Sequence, residues 1–280
     1  MPKFSPTVFA EKANEKEAAK AFSKQAQVFD ELDAGNTIIG YKRKRVREHV
    51  LRLLPENSFI LELNAGTGQD AIYFAQQGHR VHATDIAGGM QEKLRGKVQG
   101  AGLQDKITTD LCSFTELERL RHRGPYDLIF SNFAGLNCTG NLDQVLASFE
   151  PLLKPDGLVT LVILPGFSLW ETLLVFKGKF RTAFRRWFSG KEGTRSHVEG
   201  HYFRCWYYPA GYVVREMRAS FELLGVEGLC TLVPPSYIEH FAERHPRWFR
   251  FLRDREDRWK GKWPWKYIGD YYIISFRKRG

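Results

Sequence analysis

The densest chemistry in this 280-residue sequence lies in Leu61-Glu62-Leu63-Asn64-Ala65-Gly66-Thr67-Gly68-Gln69-Asp70-Ala71. Two glycines two apart let the backbone pass close beneath a ligand at the mouth of a helix, where free amide groups and the helix dipole meet it. One carboxylate, Glu62, stands at the tip of the preceding apolar run, and Asp85 and Asp110 end the next two predicted strands. Gly66–Ala71 also fits the G-x-G-x-x-A of dinucleotide sites, with Asp85 near the offset of a ribose-binding acid. Two features oppose that assignment. Glu62 before the bend and Asp70 within it repel a pyrophosphate, and the strand ends in Glu-Leu-Asn instead of running straight into glycine. An adenosine carrying an amino acid suits the pattern better. Asp85, with Ile86 beside it, faces the ribose hydroxyls, and the Asp110-Leu111 edge faces the adenine. Glu62 with Asn64, Ala65, Gly66 and Gly68 takes the amino-acid end.

These residues need a particular scaffold. Residues 9–33 are polar and helix-prone, and 41–54 is a second helical pattern with Val46, Val50 and Leu53 spaced for one face. Apolar runs at 59–61, 80–84, 106–109, 126–132 and 158–164 alternate with helices predicted at 69–77, 88–100 and 142–153. Such alternation requires crossovers and a parallel sheet covered on both faces. A helix at 209–224 and strands near 226–233 and 270–277 complete the sheet. The fold class is therefore α/β: a doubly wound, mostly parallel, seven-stranded Rossmann-like sheet with helical and aromatic cap insertions. One domain spans 1–280. It comprises N-terminal helices (1–54), a cofactor-binding core (55–165), a cap insertion (166–208), the rest of the sheet (209–233 and 270–280) and an aromatic, basic insertion (234–269).

Composition agrees. Hydrophobic residues at 43% and charged residues at 26% exclude a disordered or fibrous chain. No run is long and apolar enough for a membrane helix, and the first twenty residues lack a secretory signal, so a cytoplasmic location is expected. Cys112, Cys138, Cys205 and Cys230 have no metal-ligand spacing, so they read as reduced thiols and no metal is expected. Net charge is +10. Residues 166–208 hold eight basic and three acidic residues, and 241–280 hold twelve and five. Those two segments carry the whole excess and all seven tryptophans.

Residues 58–165 resemble the class I S-adenosylmethionine-dependent methyltransferases. Glu62–Gly68 is similar to their first motif, Asp85 to their ribose acid and Asp110 to their adenine contact. Asp127-Leu128-Ile129-Phe130-Ser131-Asn132 resembles the fourth-strand motif whose end faces the methyl group, which brings Asn132 and Phe133 to the cofactor. Leu152–Gly157 resembles the turn into strand five. The sequence departs from the family at Asn64, where glycine is usual, but Asn tolerates a left-handed backbone. The resemblance implies S-adenosyl-L-methionine as cofactor and methyl transfer as the activity.

Displacement at a sulfonium methyl needs mainly positioning, worth about 7–11 kcal/mol. A base matters only where the acceptor must lose a proton. The candidate catalytic residues are His197 and His201, beside an aromatic run (Tyr202, Phe203, Trp206), and Asn137 after the fourth strand. Each also has a bland reading: surface or packing for the histidines, a turn or cap for the asparagine. His240 and His245 suit a helix surface and a helix stop. Phe29 and Arg43 or Arg45 are placed to close over the cofactor. Within 169–188, Leu169, Leu173, Phe176, Phe180, Phe184 and Phe188 recur at helical spacing with cations mostly off the stripe. That pattern fits a lid over the active site, or an interfacial helix in peripheral contact with a membrane.

The function expected is methyl transfer to a lipophilic or aromatic small molecule, through oxygen. The alternatives are an RNA methyltransferase using the basic aromatic insertions, C- or N-methylation of a membrane-associated lipid or quinone-like acceptor, and a binding protein without catalysis. Residues 131–133 lack the Asn/Asp-Pro-Pro-aromatic signature of base-amine methylation, and no separate RNA-binding module is evident, which disfavours nucleic acid.

Overall fold

The structure is a computed structural model describing residues 8–178, 180, 184–190, 192–238 and 240–280. Seven strands form one sheet: β1 (Phe59–Leu63), β2 (Arg80–Asp85), β3 (Ile107–Leu111), β4 (Tyr126–Ser131), β5 (Leu153–Ile163), β8 (Phe221–Leu229) and β9 (Tyr271–Lys278). Their order is β3-β2-β1-β4-β5-β9-β8. The first five pair in parallel, and β9 runs antiparallel to β5 and β8. The remaining two, β6 (Thr194–Val198) and β7 (His201–Cys205), form a separate hairpin.

Two apolar layers flank the sheet. On one face α3 (Thr37–Leu53), α4 (Gln69–Gln76) and α5 (Gly88–Gly100) contribute Val46, Val50, Phe74 and Leu94. On the other, α6 (Leu142–Ala147) and α8 (Ala210–Met217) contribute Leu142, Val145, Val213 and Met217. The sheet is thus doubly wound, and every residue of β1 is buried.

Several boundaries differ from expectation for local reasons. The 9–33 helix divides into α1 (Val8–Gln25) and α2 (Phe29–Ala34). Asn36 accepts the amide hydrogens of Ile38 and Ile39, starting α3 earlier than 41. The helix predicted to reach 224 ends at Met217, and β8 begins at Phe221 because its backbone pairs with β9.

The 169–188 stripe is not one helix. α7 (Leu169–Leu173) gives way to a 3₁₀ turn at Leu174–Lys177 and a left-handed Gly178. The later part of the insertion is the β6–β7 hairpin, turned by Glu199 and Gly200 with φ of 49° and 86°, the backbone that tight hairpins favour. Lys179 and Arg181, counted among the stripe's cations, lie outside the described residues. In 234–269 the elements are α9 (Phe241–Arg244) and α10 (Pro246–Trp259). Glu256 anchors this insertion, accepting backbone amides from Cys230, Thr231, Leu232 and Val233.

Candidate active site

A cavity opens at the carboxyl ends of β1, β2 and β4, the edge of an open α/β sheet where ligands bind. Strand β1 delivers Glu62, opposite Ala83 of β2 and Phe130 of β4. The bend follows, with Asn64, Gly66 and Gly68 at φ of 46°, 56° and 79°. A Cβ on Gly68 would stand 1.9 Å from Leu94 Cδ1, so any other residue there would displace that buried side chain of α5 and also have to hold a left-handed backbone. A Cβ on Gly66 meets no atom within 4 Å; Gly66 lines the cavity and holds its backbone open to it.

Asn64 secures the bend to the β4 exit, donating to Asn132 O (2.8 Å) and accepting from Ser131 Oγ (2.6 Å). Asp85 accepts the Gly66 amide (2.8 Å) and the Ala87 amide (2.8 Å), fixing β2 to the bend. Burial pushes its carboxyl above the usual range, opposed by those amides. Glu62 is 2% exposed, and its Oε2 has no hydrogen-bond partner among the described residues. Burial, then the neighbouring Asp70 charge, holds its carboxyl well above the usual carboxylate range, against Arg43 and Arg47.

The N-terminal helices complete the wall. α1 contributes Glu15, Ala18 and Phe22, α2 contributes Phe29, and α3 contributes Arg43. Asp30 of α2 accepts from Thr67 Oγ1 (2.6 Å) and Gln69 Nε2 (2.9 Å), and Lys97 pairs with it at 2.9 Å. Arg43 bridges Asp33 and Asp70 at 2.5 and 2.6 Å with its guanidinium over the Phe133 ring. Arg47 donates to Asp70 (2.7 Å) and to Gln69 O (2.6 Å). The glycine bend is therefore latched from outside by a four-residue ion-pair network, Asp33, Arg43, Asp70 and Arg47, beside the separate Asp30–Lys97 pair.

Of the residues singled out from the sequence, Glu62, Asn64, Ala65, Gly66, Asp85, Ile86, Asn132 and Phe133 line this cavity, as do Phe29 and Arg43. Others lie elsewhere. Asp110 faces the sheet interior, within 3.1 Å of His82 Nε2, and His82 Nδ1 lies 2.6 Å from Tyr126 Oη. Leu111 is 60% exposed. The cavity is lined instead by Ser113 and Phe114, just beyond β3. His201 pairs with Glu17 at 3.2 Å and the His197 ring packs tilted against Tyr202 with centroids 4.5 Å apart, both histidines on the β6–β7 hairpin and outside the cavity wall. Asn137 is fully buried, donating to Leu164 O and Trp206 O and accepting from the Leu164 amide. It joins the chain after β4 to the chain after β5 and β7. Arg45 turns away toward Tyr41, Glu227 and Glu256.

The expected roof also changes. No described residue of 166–208 lines the cavity. The hairpin supports α1 instead: Phe203 packs with Ala18, Ala21 and Phe22, and Asn14 holds Cys138 O (2.8 Å) and the Arg204 amide (2.6 Å). The spacing of Glu15, Ala18 and Phe22 on one helical face was the available sequence signal for this roof. Nothing local in sequence announces Ser113, Phe114, Met90 or Cys138, which reach the cavity through tertiary packing.

An open α/β sheet of this order, with an acidic strand tip, a glycine bend and a buried acid ending the second strand, defines a Rossmann-like domain. The methyltransferase-domain family matches residues 60–157. The chain is 34% identical over 113 residues to an S-adenosyl-L-methionine-dependent Diels-Alderase, iccD, of Talaromyces variabilis, covering 39% of this chain and 37% of that protein. It is 26% identical over 167 residues to a malonyl-[acyl-carrier protein] O-methyltransferase of Hamiltonella defensa subsp. Acyrthosiphon pisum (strain 5AT), covering 60% and 59%. The matches thus span less than two thirds of either relative. Among solved structures, the [4+2]-cyclase SpnF superposes with a TM-score of 0.61 at 15% identity, covering 95% of this chain and 96% of that one. Residues 60–157, about a third of the chain, thus match a methyltransferase domain, a family that uses S-adenosyl-L-methionine as cofactor. The cavity fits that group: Glu62 presents a buried carboxylate oxygen without a hydrogen-bond partner among the described residues, and the wall at Gly66 carries no side chain.

Proposed function

We propose that this protein transfers the methyl group of S-adenosyl-L-methionine to an oxygen of a lipophilic or aromatic small molecule. The observation that carries the acceptor class is the cavity wall. Phe22, Phe29, Met90, Phe114 and Phe133 supply its apolar surface, and its titratable side chains are Glu15, Glu62, Asp70, Asp85, Arg43 and Cys138. No histidine, lysine or tyrosine stands among its described lining residues. A wall without an imidazole suits an acceptor oxygen acidic enough to lose its proton to water, such as an acidic phenol, an enol or a carboxyl group.

In this reading Glu62 holds the cofactor's ammonium and the backbone at Ala65 and Gly66 leaves room for its amino-acid end. Asp85 and Ile86 lie at the ribose, Ser113 and Phe114 at the adenine, and Asn132 and Phe133 where methyl and acceptor meet. When bound, the cofactor supplies an electrophilic methyl on a sulfonium. The chain's own work is orientation and exclusion of water, through the α1 roof and the ion-pair latch. The O-methyltransferase relative supports oxygen as the acceptor atom.

The test is to incubate the protein with methyl-labelled cofactor and a cell extract, then identify the labelled product. Label in an organic-soluble compound, bound through oxygen, is expected; label confined to RNA or protein would reject the proposal. A second reading follows from the Diels-Alderase relative and the same apolar, base-free wall. In it the bound cofactor is retained while a polyene cyclises. Consumption of an acceptor with no S-adenosylhomocysteine formed would favour that reading over methyl transfer.

A further inference from the structure

Outside the cavity, the outer face of α10 has no part in the fold or the site described so far. Helical spacing divides α10 into two faces. The inner face fastens it to the body: Phe249 and Leu252 pack on Ile38, Tyr41, Cys230 and Val233, with the Phe249 ring edge-on to Tyr41 at 5.9 Å. Glu256, on the same side, holds the four backbone amides after β8. With that side clamped, the opposite side is fixed toward solvent. It carries Arg247, Trp248, Phe251 and Arg258, all exposed, Trp248 at 63% and Phe251 at 47%. Arg250 is exposed on its flank.

Positive charge is left over on this face. The helix has five arginines and three acids. Glu256 is taken up by the amides, Asp254 pairs with Arg253 at 3.2 Å, and Asp257 pairs with Lys260 at 3.3 Å and Arg45 at 3.4 Å. Among the described residues, Arg247, Arg250, Arg255 and Arg258 have no carboxylate within 4.0 Å. Arg255 lies over the Phe251 ring, 5.1 Å from its centroid.

An anionic partner complements such a face, and the rings decide which kind. A nucleic-acid base stacks on an open ring face. Here Trp248 and Phe251 meet edge to face at 5.9 Å, and Arg255 covers Phe251. A folded acidic protein needs ~800 Å² on each side of a stable interface. One face of a helix about 21 Å long and about 10 Å across offers roughly 200 Å². A bilayer is continuous and sets no such minimum. Aromatic rings settle in its headgroup layer while cations meet its phosphates.

We infer that the outer face of α10 is a docking site for an anionic lipid bilayer, with Trp248 and Phe251 entering the headgroup region and Arg247, Arg250 and Arg258 meeting lipid phosphates. This inference stands apart from the proposed function, since no residue of α10 lines the cavity.

The experiment is co-sedimentation of the full chain with phosphatidylcholine vesicles, with and without roughly one third phosphatidylglycerol. Binding to the mixed vesicles should be at least about tenfold tighter than to phosphatidylcholine alone and largely lost at high salt. W248S/F251S should weaken it by about tenfold or more. So should R247E/R258E, which leaves both rings in place. K93E/R218E makes the same change of charge at exposed positions on α5 and just after α8, and should leave binding within about twofold. Cofactor binding by calorimetry should stay unchanged in all three variants, which reports that each is folded. An equal loss in K93E/R218E would reduce the effect to net charge and overturn the inference. Equal binding to neutral vesicles, self-association in place of vesicle binding, or tighter binding to single-stranded RNA than to mixed vesicles would each overturn it too.

Discussion

Replacing Glu62 by glutamine should move cofactor affinity and protein stability in opposite directions. The carboxyl sits at the end of β1, 98% removed from solvent, with Oε2 unpaired. Without ligand, burial and the Asp70 charge make its ionised form costly, so its carboxyl titrates well above the usual range. For an acid whose folded pKa is raised, the folded state binds the proton more tightly than the unfolded state. The group then lowers stability progressively as pH rises from the ordinary carboxylate value toward the raised one. Glutamine removes that charge while keeping the shape. Relieving a poorly paired buried carboxylate contributes roughly 1–2 kcal/mol, or about 2–4 °C in the melting temperature of a domain near this size. The ligand side runs the other way. Loss of a charged hydrogen bond to an ammonium costs about 1.5–3 kcal/mol, which is roughly a 10–150-fold weaker Kd. Binding also requires Glu62 to ionise, so the wild-type Kd should tighten as pH rises through the raised pKa, with proton release, while E62Q should give a flat profile. Calorimetry with S-adenosylhomocysteine in buffers of different ionisation enthalpy measures affinity and proton count together; thermal melting measures the rest. An E62Q protein that melts lower than wild type and binds equally well at every pH would refute the assignment of Glu62 to the ammonium.

Other outcomes follow from the same geometry. Gly68→Ala places a methyl 1.9 Å from Leu94 at a φ of 79°; overpacking and strain together should cost about 2–4 kcal/mol in denaturant melts. Gly66→Ala meets no protein atom, so it should cost only about 1–2 kcal/mol of stability while weakening cofactor binding, as read by calorimetry. His197→Ala and His201→Ala should each leave turnover within about twofold, because neither side chain reaches the cavity and a lost general base would cost ~10²–10⁴; a loss in that range would restore a catalytic role. The pH profile of kcat should accordingly follow the ionisation of the acceptor, with no step near an imidazole pKa. Glu256→Ala should cost about 3–5 kcal/mol, since four backbone amides and the Tyr41 hydroxyl lose their acceptor.

The alternation of apolar runs and helical periods carried the sheet, because a strand buried on both faces must be continuously apolar and a crossover needs a helix between strands. The side of the cavity built by β1 and β2 was legible for a related reason. Glu62, the Gly66–Gly68 bend and Asp85 act within a few residues of the strand ends that position them, so local sequence and function coincide. Asp110 shows where that logic stops. Sequence places it at a strand end, and only the packing of β2, β3 and β4 decides that it turns inward to His82 and Tyr126. The histidines of the β6–β7 hairpin are a second case: their proximity to aromatic residues in sequence says nothing about which way the hairpin faces.

The remaining half of the site depends on contacts between distant parts of the chain. Asn14 reaches Cys138 and Arg204 across 124 and 190 positions, and Asp30 reaches Thr67 and Lys97 across 37 and 67. Those bonds decide that α1 and α2 roof the cavity and that 166–208 supports the roof from behind. Local spacing, then, settled the sheet, the glycine bend and the acids at its mouth, since each is fixed by backbone conformation over a handful of neighbours. The tertiary structure alone decided what closes over them, because a side chain's partner across the fold is set by how whole elements pack, which no short stretch of sequence encodes.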